Sequence, residues 1–277
     1  MSHPESTDPL RGTRYRMLRL LGMGTMGEVF LVEHSALGRR FVAKILHARH
    51  AGAADYVARL EREARTLGQM RHPNIVTATD FDVTGDGRPF FVMEYLEGHT
   101  LSDELKQRGR LPRADALLYV GQILSALTAA HAKGIIHRDI KPQNLFLHVQ
   151  GGAPSTIKVL DFGAARDTKG FTPLAVPLAT STGAVVGTLA YLSPEGANGQ
   201  RVDPRADLYA VGLVLSTMLS GHLPPAHRVP GNPFVEADLA LPNDAQPIAP
   251  LILKALEIDP GRRFQSAEEF LVALPGR

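Results

Sequence analysis

The chain changes character at Gly98, and that change limits the folds open to it. Before it, short β-branched and aromatic runs alternate with glycine turns over 14–21, 28–34, 39–46, 75–83 and 89–95. Runs of that length bounded by turn residues predict the strands of a small antiparallel sheet. One segment, 53–70, breaks the pattern: Tyr56, Leu60, Ala64 and Leu67 recur at the three- and four-residue spacing of an amphipathic helix. Beyond Gly98, Ala116, Val120, Ile123, Leu124, Leu127 and Ala130 mark a long helix after Pro112, and 208–219 and 250–256 mark two more. The expected class is α+β: a small sheet lobe with one helix over 14–95, then a larger, mainly helical lobe over 96–277. Together they form one domain, 14–274, behind a short flexible tail, 1–13. The joint near Glu94–Gly98 makes a cleft between lobes the default place for a ligand.

Composition removes several classes of function. None of the 277 residues is cysteine, which excludes disulfides, thiolate zinc sites and a thiol nucleophile and fits a reducing, cytoplasmic setting. The amino terminus lacks an apolar core of signal-peptide length. The most apolar stretch, 208–219, is 12 residues long, whereas a membrane span needs about 20. Thirty basic and 28 acidic residues are mixed along the chain, with no basic block to follow a nucleic-acid backbone. His47 and His50 have no second ligand pair at metal spacing, so both are expected on the surface.

Against that background, Gly22-Met-Gly-Thr-Met-Gly-Glu-Val29 stands out. Gly22, Gly24 and Gly27 would let main-chain N–H groups approach phosphate oxygens without a Cβ in the way. A similar glycine pattern opens dinucleotide-binding folds, but there it leads into a helix, whereas here a β-run follows. The context favours a flap over nucleotide phosphates; taken alone, the motif fits a ligand-free glycine hairpin equally well. Lys44, in Val42-Ala-Lys44, can pair with phosphates and needs a carboxylate to fix it, which Glu61 or Glu63 could supply. Either glutamate could also be just a solvated helix position.

The decisive stretch is His137-Arg-Asp-Ile-Lys-Pro-Gln-Asn144, followed after 16 residues by Asp161-Phe-Gly163. Phosphoryl transfer needs a carboxylate to orient an acceptor hydroxyl and take its proton, oxygen ligands for a divalent cation, and positive charge on the phosphates. Asp139, then Asn144 with Asp161, then Lys44 with Lys141 meet those needs. His137 and Phe162 are expected in the hydrophobic interior rather than in the reaction.

These motifs, with His-Pro-Asn-Ile-Val at 72–76 and Gly-Thr-Leu-Ala-Tyr-Leu-Ser-Pro-Glu at 187–195, resemble bacterial Hanks-type serine/threonine protein kinases over about 15–274. The resemblance implies a bilobal protein kinase fold using ATP with Mg²⁺, or Mn²⁺ in its place. It selects Glu63 as the partner of Lys44, Met93 as gatekeeper, Glu94–Leu96 as the adenine-binding hinge, and Val29, Ala43 and Phe146 as further nucleotide contacts. Asp207 becomes the anchor of the catalytic loop, and Glu195 pairs with Arg263. Lys141 and Thr188 imply serine or threonine acceptors on protein substrates. The 35-residue segment 161–195 carries Thr168, Thr172, Thr180, Ser181, Thr182 and Thr188. Autophosphorylation is expected there at Thr180 and Thr182, with self-association for transfer in trans and Arg138 to order the phosphate.

The chain departs from the family after Gly221. Only 37 residues separate it from Asp259, and 223–250 holds seven prolines, so a substrate-docking helix there has little room. Many bacterial relatives continue past the last helix into a membrane helix and a sensor domain; this sequence reads either as a stand-alone soluble kinase or as an excised catalytic domain. Two other functions compete with the enzyme: a nucleotide-binding pseudokinase scaffold, disfavoured because Lys44, Asp139, Asn144 and Asp161 are all present, and a small-molecule phosphotransferase, disfavoured by the activation segment.

Overall fold

In a computed structural model, which describes residues 8–149, 155–162, 166–167, 190–225 and 233–276, the β-runs of the first part pair in sequence-near hairpins. Strands β1 (Tyr15–Met23), β2 (Gly27–His34), β3 (Arg40–Leu46), β4 (Ala78–Val83) and β5 (Pro89–Glu94) form an antiparallel sheet in the order β1-β2-β3-β5-β4. The fourth strand begins three residues later than the apolar run suggests, because Ile75 and Val76 are buried ahead of it.

Successive strand residues point to opposite faces, and directly opposed residues share one. Register therefore puts Phe30, Ala43 and Val92 on one face, and Val29, Lys44 and Phe91 on the other. The first face is the core, where Phe30, Val32, Ala43, Ile45, Phe90 and Val92 join Tyr15 and Leu10. Leu10 corrects the expectation of a flexible tail for 8–13. It is fully buried, and Asp8 accepts main-chain N–H bonds from Leu10 (2.9 Å) and Met17 (3.3 Å). Helix α1 (Ala54–Gln69) buries Leu60, Ala64 and Leu67 of the expected stripe, with Tyr56 half-buried, plus one carboxylate, Glu63.

The chain divides into two units, one holding this sheet and α1 up to Leu96, the other holding His72–Asn74 and everything from Glu97 on. The boundary lies one residue beyond the expected one, and 72–74 cross to the second unit because Asn74 bonds there. Its Nδ2 donates to the Ile157 carbonyl (2.9 Å), and its own carbonyl accepts from Val159 N–H (2.8 Å).

The second unit runs β6 (Gly98–Thr100), α2 (Leu101–Arg108), α3 (Arg113–His131), β7 (Ile135–Ile136), β8 (Leu145–His148), β9 (Thr156–Val159), β10 (Arg166–Asp167), α4 (Pro194–Ala197), α5 (Arg205–Ser220), α6 (Glu236–Leu239), α7 (Ala249–Ala255) and α8 (Ala267–Val272). It is mainly helical, as expected, and also holds a small sheet of β6, β8 and β9 and a pairing of β7 with β10. Gly98 permits that sheet: its φ is +137°, and a Cβ there would lie 1.9 Å from the Leu147 carbonyl oxygen. Helix α5 is buried from Ala206 to Leu219, which is why it reads as a continuous apolar run. Among its described residues, the proline-rich stretch forms the four-residue α6, a 3-10 turn, Asn243–Ile248, and the first two residues of α7. No helix among the described residues is long and apolar enough to cross a membrane.

Candidate active site

In the sheet unit, Lys44 and Glu63 meet. Lys44 Nζ lies 2.6 Å from Glu63 Oε1, and the Glu63 side chain is 2% exposed. Of the two candidate glutamates, Glu63 is the one facing the sheet; Glu61 is exposed. Val29 and Phe91 oppose Lys44 in the register, and Leu31 and Met93 oppose Val42, so Val29, Val42, Lys44 and Met93 share a face.

Ala43 does not share it. Its side chain is fully buried on the core face, so its expected nucleotide contact is withdrawn, and Val42 takes the position beside Lys44. At the end of β5, Glu94 is fixed to Thr77, accepting its N–H at Oε1 (2.9 Å) and donating its own N–H to the Thr77 carbonyl (3.1 Å). Leu96 is buried.

The glycine turn joins β1 to β2 and is closed by Gly24 N–H donating to the Gly27 carbonyl (2.9 Å). Its glycines have different reasons. A Cβ on Gly27 would sit 2.2 Å from the Ile45 carbonyl oxygen, so close strand approach excludes any side chain there. Among the described residues, a Cβ on Gly22 would stand in open space and one on Gly24 would meet only ordinary contact with the Gly27 carbonyl oxygen at 3.7 Å, so neither position demands glycine for room.

In the second unit, the segment 137–144 is held from below by Asp207. This carboxylate, 1% exposed, accepts the His137 N–H (2.9 Å) and the Arg138 N–H (2.8 Å), and its Oδ2 lies 2.8 Å from His131 Nε2. Burial opposes its ionisation, but the hydrogen bond and charge of His131, with His137 and the Arg138 N–H, hold its carboxyl below the usual carboxylate range. Arg138 takes a left-handed conformation, φ +67°, as does Asp161, φ +51°. For non-glycine residues such backbones cost about 1–3 kcal/mol and persist only where the surroundings enforce them. Here two charged hydrogen bonds to Asp207 supply that enforcement on one side of Arg138.

The strained turn presents Asp139. Its Oδ2 accepts from Lys141 Nζ and from Asn144 Nδ2, each at 2.8 Å, and Asn144 Nδ2 also donates to the Asp139 carbonyl (2.8 Å). The Asn144 carbonyl in turn accepts Leu160 N–H (2.8 Å), and His137 Nε2 donates to the Leu160 carbonyl (2.9 Å), one residue before Asp161. His137 and Phe162 are buried with their rings 4.5 Å apart, as expected for interior residues. Phe146 is half-buried on β8, opposite Thr100 and Lys158.

Beyond this loop, Glu195 and Arg263 form a two-pronged buried pair at 2.8 and 2.7 Å. The guanidinium also donates to the carbonyls of Glu257 and Ile258 and lies 4.9 Å from the Tyr209 ring centroid. Gly163 and the threonines at 168, 172, 180, 182 and 188, with Ser181, lie outside the described residues.

The lysine–glutamate pair of the first unit and the carboxylate–lysine–asparagine cluster of the second are each residue sets of the kind that phosphoryl transfer uses. The protein kinase domain model matches residues 15–269. The chain belongs to the protein kinase domain family. This kinase domain is 40% identical to the serine/threonine-protein kinase pkn2 of Myxococcus xanthus, over 94% of the chain and 32% of that protein. It is 39% identical to Pkn1 of the same organism, over 98% of the chain and 39% of that protein. The chain thus spans a third to two fifths of the length of these relatives. Its fold is similar to the PknI kinase domain of Mycobacterium tuberculosis, with a TM-score of 0.73 at 27% identity, covering 96% of this chain and 97% of that one.

Sequence reasoning missed two positions in the kinase domain. Counting by twos from Lys44 along β3 would have selected Val42 in place of Ala43. His47, set aside as a surface residue, bonds to the glycine turn, and no local sequence pattern signals that contact.

Proposed function

We propose that this kinase domain transfers the γ-phosphate of ATP to serine or threonine hydroxyls of protein substrates, by direct in-line displacement without a covalent enzyme intermediate. The observation that carries the reading is the double grip on Asp139. Lys141 and Asn144 both bond its Oδ2, fixing the carboxylate that would orient the acceptor hydroxyl and take its proton. Lys44, braced by Glu63, would hold the α- and β-phosphates, and Lys141 the γ-phosphate.

The donor set fits a hard divalent cation, Mg²⁺ or Mn²⁺. Asn144 commits its side-chain nitrogen Nδ2 to Asp139, so its side-chain oxygen Oδ1 would serve the cation, and Asp161 would supply a carboxylate. Among the described residues no cluster of three or more acidic, histidine or cysteine side chains could hold a metal. Two protein oxygens with phosphate and water completing the shell is the way Mg²⁺ is commonly bound. When bound, the cation neutralises phosphate charge.

The proposal extends to Thr180 and Thr182 as sites of self-phosphorylation, made in trans by transient self-association, and to cytoplasmic residence, which the absence of cysteine supports. Phosphopeptide mapping after incubation with MgATP checks the first; an active preparation carrying no phosphate on either threonine ends it.

The main reading is tested by following labelled γ-phosphate from MgATP to the chain and to a generic protein acceptor. Asp139→Asn is expected to lower the rate by about 10²–10⁴-fold. Equal labelling by wild type and variant would remove the assignment.

A further inference from the structure

We propose that His47 is a positioning residue that holds the tip of the glycine turn and, through His50, ties that turn to helix α1. The inference deepens the phosphotransfer reading and rests on it for its effect on ATP.

His47 directly follows β3, three residues after Lys44. Its main-chain N–H donates to the Met26 carbonyl at 3.0 Å, and its ring Nε2 donates to the Gly24 carbonyl at 2.8 Å. A carbonyl has no proton to give, so Nε2 carries one, and the bond survives whether or not Nδ1 is protonated. With its N–H already on the Gly27 carbonyl, Gly24 has both main-chain groups engaged. Among the described residues, chain neighbours aside, no atom lies within 4 Å of where a Cβ on Gly22 would stand, and only the Gly27 carbonyl oxygen, at 3.7 Å, lies near that of Gly24. Among the described residues packing therefore adds little to hold the tip, and the two bonds from His47 attach it to the end of β3.

The other end of the brace reaches α1. The short 3-10 turn Ala48–His50 opens with His50 N–H donating to the His47 carbonyl at 2.9 Å. The His50 ring then lies flat on Tyr56, with centroids 3.9 Å apart and planes at 5°. Tyr56 sits in the first turn of α1, seven residues before Glu63 and so on the same side of the helix. One four-residue segment thereby joins the carbonyls of the glycine turn to the helix that carries the partner of Lys44. Its consequence is a fixed height for the main-chain N–H groups that the turn offers to phosphate.

The test compares His47→Leu, which removes the ring donor, with His47→Gln, whose amide nitrogen can replace it. KM for MgATP and kcat are measured together with amide hydrogen exchange over residues 22–28 in nucleotide-free protein. His47→Leu is expected to raise KM about five-fold, the size of one net hydrogen bond, to leave kcat within about two-fold, and to speed exchange in the turn. His47→Gln restores both KM and exchange. Unchanged KM and exchange in His47→Leu, or equal losses in the two variants, overturns the brace. A wild-type chain that transfers no phosphate overturns the phosphotransfer reading instead, and the exchange comparison still decides the brace.

Discussion

The glycine turn and the catalytic loop are held in opposite ways. The turn, from Gly22 to Thr25, is exposed and closed by a few hydrogen bonds that water can replace. The loop from His137 to Asn144 stands on a buried carboxylate, and it carries a left-handed arginine that this carboxylate helps to enforce. An exposed hydrogen bond contributes about 1 kcal/mol or less, whereas hydrogen bonds to a buried charge contribute about 1.5–3 kcal/mol each. On the proposed reading, the segment that admits and releases a nucleotide is therefore cheap to move. The segment that, on the same reading, keeps a proton acceptor in place is over-determined.

Lys44→Met tests the first side of that contrast most severely. Removing the ammonium is expected to lower kcat/KM by about 10²–10³-fold, read in the labelled-transfer assay, with the sheet intact by circular dichroism. Asp207→Asn tests the second side. The amide cannot accept as two carboxylate oxygens do, so unfolding free energy should fall by about 3 kcal/mol and transfer by about 10²-fold, although Asp207 contributes nothing to the reacting atoms. A variant that lost activity alone, with an unchanged denaturant midpoint, would show that the loop is not held in the way described.

Substitutions at two glycines sharpen the comparison within the turn itself. Gly27→Ala drives a Cβ into the Ile45 carbonyl and should cost about 1–3 kcal/mol, while Gly24→Ala, with its nearest atom at 3.7 Å, should cost under about 0.5 kcal/mol. Chemical denaturation separates the two. If both were neutral, the close approach of β2 to β3 would be wrong.

The smallest effect is a pH dependence. Because the Asp207 carboxyl is held below its ordinary value, its contribution to stability is complete above the unfolded carboxylate pKa of about 3.9 and is lost as pH falls through the folded value. The wild-type unfolding midpoint should therefore drop more steeply below about pH 4 than that of Asp207→Asn; parallel curves would contradict the linkage.

Most of the sheet unit was legible in sequence because its strands are five residues or longer and its helix has a clean apolar stripe. The strands β6 and β8 were not, since three or four residues show no measurable alternation, and α2 is only eight residues long. At the site, chemistry-bearing side chains with fixed spacing, such as Asp139, Lys141 and Asn144, could be read directly. Side assignment failed at Ala43, where a motif was followed in preference to the two-residue period of a strand. Leu10 was missed for a different reason, because a buried side chain in a polar tail is a tertiary fact that local pattern does not encode. His47 is half-exposed, in keeping with its surface expectation, and its ring-to-carbonyl bond is a tertiary fact of the same kind.

The central claim is that this chain moves a phosphate from ATP to serine or threonine. It is tested most directly by acid hydrolysis of a protein acceptor after incubation with the wild-type chain, γ-labelled ATP and Mg²⁺. The account predicts label in phosphoserine and phosphothreonine and none in phosphotyrosine. Label in phosphotyrosine alone, or no label above that produced by Asp139→Asn, would contradict it.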